Sequence, residues 1–168
     1  MKILVSDTSV LIDLERGGLL EASFACGQQL VVPDYLYQVE LEQENGPLLL
    51  QLGLNVVELT AEEVEFAQLT MLSAPALSPA DCFALSYARR PQHLLVTGDK
   101  ALRTRASGEN ISCHGLLWLL DQMEASGAIA ARSLAEGLQR IATHRRSRLP
   151  RADVDHRIAK WSRSTGKK

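Results

Sequence analysis

Two apolar runs lead into aspartates: KILVSD brings Asp7 to the end of the first, and about ninety residues later LLVTGD brings Asp99 just past the second. Runs of this kind read as short buried strands. Both carboxylates therefore fall where strands give way to loops or helices, a place that α/β folds use for ligands. If the two strands are neighbours, two mutually repelling carboxylates are held close together, an arrangement that calls for a cation.

Two further acids could join them. Asp81 shares a helical stripe with Ala84, Leu85 and Ala88, so it extends a face that should pack on a sheet, where an acid is costly unless something compensates it. Its ordinary role would be to close a capping box with Ser78. In PDYLYQVELEQE, Leu36, Val39 and Glu40 form one stripe, while Glu42 and Glu44 are easier to place toward solvent; Glu42 is the reserve choice for a ligand. Asp7 and Asp99 could likewise merely cap the helices that follow them.

Agreement among four separate elements points to a site. Two strand ends and two helix faces all offer carboxylate oxygens, and no Cys or His cluster competes with them. Hard oxygen donors select Mg²⁺ or Mn²⁺ rather than zinc or copper. Such a cluster suits phosphoryl chemistry, where cations activate a water and neutralise charge on the leaving oxygen, with paired ions typically about 3.5–4 Å apart. Thr8, Ser9 and Thr97 could orient the carboxylates or the water by hydrogen bonds, although each also makes sense as a cap or strand-end residue.

The elements that must position these groups alternate. Strand-like runs lie at Lys2–Ser6, Gln29–Val32, Asn55–Leu59, His93–Thr97 and, more weakly, Asn110–Cys113. Helical patterns cover Thr8–Arg16, Leu19–Ala25, Asp34–Glu44, Ala61–Leu72, Pro79–Arg89, Lys100–Ala106, Gly115–Ala125, Ala130–Thr143 and Ala152–Trp161. The alternation predicts an α/β sandwich with a mostly parallel sheet. Thr60 with Glu63 and Ser78 with Asp81 are written as capping boxes, and Gly98, Gly108 and Gly127 as turns. The last helix should carry Val154, Ile158 and Trp161 on one face.

Composition agrees with one ordinary domain of 168 residues, 46% apolar and only 5% aromatic, with a core of Leu, Val, Ile and Ala. Cys26, Cys82 and Cys113 are isolated and odd in number, which argues against zinc or a disulfide set and for a reducing cytoplasm. Asp7 interrupts the first apolar stretch too early for a signal peptide or membrane span. The net charge of -2 hides a division: residues 1–139 carry 8 Lys/Arg against 18 Asp/Glu, while residues 140–168 carry 10 against 2. An acidic body could hold cations, and a basic tail could hold a polyanion or an acidic partner.

At these residues the chain resembles the PIN-domain family of metal-dependent ribonucleases, which includes the toxins of many prokaryotic toxin–antitoxin pairs. The matching pieces are SDTSVLIDL, VPDYLYQVEL, LSPADCFALSYAR, LLVTGDKALRTRA and CHGLLWLLDQM, in family order over roughly residues 1–125. The resemblance implies a three-layer α/β/α sandwich, an acidic Mg²⁺ or Mn²⁺ site made by Asp7, Glu40, Asp81 and Asp99, and Thr97 beside it. It also implies hydrolysis of an RNA phosphodiester by a metal-activated water, frequent homodimerisation, and in many members an inhibiting antitoxin. The chain departs from the simplest members in a helical, basic extension over residues 126–168, expected to pack on the same domain and to supply phosphate contacts.

Two other readings compete. A PIN-like module could bind RNA or protein without cutting, but such a module has no need of clustered carboxylates. A phosphatase with an aspartyl nucleophile often carries a second acid two residues on, where this chain has Ser9.

Overall fold

The computed structural model describes residues 3–163. Lys2, expected to begin the first strand, and Lys167 and Lys168 of the basic tail lie outside the described residues. Five strands form a single parallel sheet: β1 (Ile3–Ser6), β2 (Gln29–Pro33), β3 (Asn55–Val57), β4 (His93–Val96) and β5 (Cys113–His114), in the order β3-β2-β1-β4-β5. Leu4, Val5, Leu30, Val31, Val32, Leu95 and Val96 are all buried. Central parallel strands are covered on both faces, so these read as continuous apolar runs rather than alternating ones. The α/β fold read from the alternation is thus the fold observed.

The helices among the described residues are α1 (Thr8–Arg16), α2 (Leu20–Ala25), α3 (Asp34–Leu36), α4 (Gly46–Leu52), α5 (Ala61–Ser73), α6 (Pro79–Ala88), α7 (Lys100–Gly108), α8 (Leu116–Ser126), α9 (Ala131–Thr143) and α10 (Arg151–Arg163). The two capping boxes form as written, Thr60 with Glu63 at the start of α5 and Ser78 with Asp81 at the start of α6. They fold locally because each satisfies two backbone N–H groups that the first turn leaves without partners.

Three expectations are corrected. The helix over Asp34–Glu44 is interrupted: α3 passes into a π-helical turn, Tyr37–Leu41, and the chain then restarts as α4, a helix absent from the periodic pattern. The signals for α4 were present, with Pro47 in its first turn and Gly53 at φ 108 ending it, the asymmetry expected of helix termini. The last strand is Cys113–His114 rather than Asn110–Cys113, because Asn110 adopts φ 57 and the Ile111 N–H turns back to the Ala106 carbonyl. That same closure makes Gly108 the last residue of α7 instead of a turn.

The chain divides into two compact units, one made of residues up to Val10 with Gln28–Leu116 and the other of Leu11–Gly27 with residues 117 onward. In the first, α6 packs on β1, β2 and β4 and against α5. Arg90 clamps Glu63 through both carboxylate oxygens at 2.6 and 2.9 Å, and Ser86 donates to the Glu63 carbonyl at 2.7 Å. The ion pair and this backbone bond tie the two helices together, and Arg90 holds the Glu63 carboxyl below its ordinary pKa.

In the second unit, α9 buries Leu134, Leu138 and Ile141 along one stripe and packs against α10. Arg157 grips Asp121 at 2.8 and 2.6 Å, and Lys160 reaches Glu124 at 2.6 Å, joining α10 to α8. Val154 and Trp161 are buried as the helical pattern predicts, with Ile158 half-buried.

Candidate active site

β1 is the topological switch point of the sheet. From it the chain steps outward to β2 and β3 on one side, and later returns to place β4 and β5 on the other. In a doubly wound sheet the crevice at the carboxyl ends of such strands is where ligands bind. The register pairs Ser6 with Val96, and the Asp7 N–H donates to the Val96 carbonyl at 3.2 Å. The two apolar runs are therefore adjacent, and their acidic ends come together.

Asp7 is buried, 4% exposed. Its Oδ1 accepts from the Ser9 hydroxyl at 2.8 Å and the Val10 N–H at 3.0 Å, and its Oδ2 accepts from the Thr97 hydroxyl. Among the described residues no Lys or Arg pairs with it. Burial pushes the Asp7 carboxyl above its ordinary pKa, the bonds from Thr97, Ser9 and Val10 pull it back, and the charge of Asp81 adds to the upward push.

Thr97 is fully buried and joins the two aspartates: while donating to Asp7 it accepts the Asp99 N–H at 2.9 Å. Asp99, exposed, caps α7 by accepting the Leu102 N–H on Oδ1 at 2.7 Å. Asp81 closes its capping box, accepting the Ser78 N–H on Oδ2 at 3.0 Å, while Ala84, Leu85 and Ala88 of its stripe are buried. The cap role and the proximity to Asp7 thus coexist in one residue.

Glu40 is half-buried and accepts from the Thr8 hydroxyl on Oε2, whereas Glu42 is exposed. The cause lies in the π turn, where the Glu42 N–H reaches back five residues to the Tyr37 carbonyl at 2.8 Å. The wider turn rotates the buried face to Leu36 and Leu41, five apart, and leaves Val39 56% exposed. The stripe of Leu36, Val39 and Glu40 drawn from an α-helical period is corrected accordingly: Val39 leaves it, and Glu40 remains on the inner side. An i, i+5 apolar spacing was the only sequence trace of this.

Gly46 makes the π turn possible. A Cβ there would stand 2.7 Å from the Leu41 carbonyl oxygen and 2.9 Å from the Tyr37 hydroxyl. Since the nearer atom is backbone, Gly46→Ala should deform the turn that carries Glu40, costing about 1–3 kcal/mol as overpacking does. Denaturant melts and cleavage assays on that variant check the expectation; wild-type behaviour in both would show that the turn tolerates the methyl group.

The donor set fits a hard divalent cation in its chemistry. Asp81, Asp99 and Glu40 are each anchored through one oxygen, and the other oxygen carries no hydrogen bond among the described residues. Buried Asp7 supplies negative charge that no described basic side chain neutralises. Among the described residues, however, no three carboxylate, imidazole or thiol groups draw close enough to enclose an ion, each being held on its own hydrogen bond. The three cysteines are free, and none is needed for this donor set.

The chain is thus a parallel α/β protein with Asp7 and Asp99 linked through Thr97 at the switch point of its sheet, a place that α/β folds use for ligands. A family model described as a PIN domain, DUF3368, matches residues 3–163, and the chain belongs to that family, whose members are mostly nucleases and typically use Mg²⁺. The match runs past residue 125, the end of the motif resemblance, and through α9 and α10. No curated protein and no solved structure gives a significant match. No helix among the described residues is long and apolar enough to cross a membrane.

Proposed function

We propose that the protein is a metal-dependent endoribonuclease that hydrolyses RNA phosphodiester bonds at the site formed by Asp7, Glu40, Asp81 and Asp99, and that it serves as the toxin of a toxin–antitoxin pair, working as a homodimer. The observation that carries the reading is Asp7, a buried carboxylate without a basic partner among the described residues, beside a second acid. Keeping such a charge inside a protein is costly unless a cation or a proton compensates it.

The residues divide the work. Asp7 is locked by Thr97, Ser9 and Val10, so its oxygens keep one orientation through a catalytic cycle. Thr97 transmits that order to Asp99, and Thr8 does the same for Glu40. Asp81 is fixed by the start of α6 and keeps Oδ1 available. Such hydrogen bonds from neighbouring groups pre-set the direction of metal-binding oxygens and reduce the reorganisation needed during reaction. Mg²⁺ or Mn²⁺, when bound, supplies the Lewis acidity that activates a water and offsets charge on the leaving oxygen.

Cleavage of structured RNA in Mn²⁺, with an EDTA control, tests the reading: activity that persists in EDTA, or none on any RNA tried, would overturn it. Glu40→Gln and Glu42→Gln, assayed side by side, test the choice of glutamate. Glu40→Gln is expected to lose about 10²-fold or more, the scale of removing one preorganised electrostatic group, and Glu42→Gln to stay within about twofold of wild type. Equal losses in the two variants would remove Glu40 from the site.

A further inference from the structure

We infer that Lys100 and Arg103, on the exposed side of α7, form a subsite for a phosphate of the RNA backbone other than the one being cut. The inference rests on the nuclease reading above and gives it a substrate-binding surface.

The unit that carries the carboxylates is poor in positive charge. Its described residues include five Lys/Arg: Arg89, Arg90, Lys100, Arg103 and Arg105. Three of these are engaged, Arg90 by Glu63, Arg105 by Glu109 at 2.9 Å, and Arg89 over the Phe66 ring at 3.9 Å. Lys100 and Arg103 make no ion pair among the described residues, although Lys100 directly follows Asp99. Cations meant to neutralise the acidic site would be paired with it; these two remain available to an anion that approaches it.

They also share a cavity. An open hollow of about 600 Å³ is lined by Gly98, Lys100, Arg103, Thr104, Ser107 and Cys113. Gly98 stands between Thr97 and Asp99, just past the carboxyl end of β4, and Cys113 opens β5 opposite Leu95, so one end of the hollow adjoins the loop that carries Thr97 and Asp99. The Arg103 guanidinium lies close to Gly115: a Cβ there would stand 3.0 Å from Arg103 Nη1 and 3.8 Å from the Thr97 carbonyl oxygen. Arg103 thus lies along the loop that follows β5, near Thr97, the residue that orients Asp7.

The phosphates of an RNA strand crossing the carboxylates are repelled by them, and cations beside the site offset that repulsion. A planar guanidinium and an ammonium flanking one hollow match a phosphate in charge and in donor geometry. Phosphate contacts of this kind position a strand without reading its bases.

The test uses the full chain carrying Asp7→Asn, which separates binding from cutting, with Mg²⁺ held constant and KCl varied. Binding of a fluorescein-labelled single-stranded RNA oligonucleotide is followed by anisotropy. Adding Lys100→Gln or Arg103→Gln should weaken binding several-fold and flatten the plot of log affinity against log salt by about 0.7 for one phosphate left unneutralised. Arg16→Gln, at a residue paired with Asp13 at 3.1 Å, should leave both unchanged. Unaltered slopes in the Lys100 and Arg103 variants, or no binding by the parent, overturn the subsite. A wild-type chain that binds with the expected slopes yet cuts no RNA in Mn²⁺ would instead overturn the nuclease reading and leave the subsite standing.

Discussion

Asp7→Asn is expected to lower Mn²⁺-dependent RNA cleavage by about 10²–10³-fold or more, the scale of losing one preorganised charge, while the fold is kept. Asparagine is nearly isosteric. Its amide oxygen can take the bonds from Ser9 and Val10, and its amide N–H₂ can face Thr97, whose hydroxyl rotates from donor to acceptor. Asp99→Asn should lose a similar factor, because asparagine caps helices as well as aspartate does and the bond from Leu102 survives. Cleavage rates read beside circular dichroism and thermal melts separate chemistry from folding. Full activity in both variants would remove the proposed site.

The same Asp7 variant makes a stability prediction with a definite sign. Burial raises the folded-state pKa of Asp7 above its unfolded value. Protonated Asp7 therefore favours the folded state; this contribution is complete below the unfolded pKa and is lost as pH rises through the folded one. At neutral pH in EDTA the buried charge is a net cost, so Asp7→Asn should melt higher than wild type. That advantage should shrink as pH falls toward the unfolded value. A variant that melts lower at neutral pH would mean that Thr97 and Ser9 stabilise the ionised group more than burial penalises it.

Trp161→Ala is expected to cost about 3–5 kcal/mol, the range for emptying a large fully buried aromatic site. Trp161 is 0% exposed and among the largest fully buried side chains of the protein. It lies on α10, which packs on α9 and is tied to α8 by Arg157 and Lys160. Urea or guanidinium unfolding of the full chain measures the loss. If α10 were a dispensable extension, the midpoint would hardly move, and the basic residues it carries would then act as an appended arm.

The places of the first four strands, both capping boxes and most helices were legible in the sequence because each depends on neighbours a few residues away. Ser78, Pro79 and Asp81 state a helix start by themselves, and LLVTGD states a buried strand followed by a turn. The interruption of Asp34–Glu44 was harder to read. A π turn leaves no composition signal, and its reason, the closeness of Gly46 to the Leu41 carbonyl and the Tyr37 hydroxyl, exists only after the chain has folded back.

By itself the sequence determined which acids were available, that they sit at strand ends and on helix faces, and that their donor chemistry suits a hard cation. Only the tertiary structure decided that β1 and β4 are neighbours, that Thr97 joins Asp7 to Asp99, and that Thr8 reaches Glu40 rather than Glu42. The physical reason is sequence separation. Caps and periodicity are written in adjacent residues, whereas the pairing of strands ninety positions apart is chosen by burial of both their faces at once, and no local pattern records that choice.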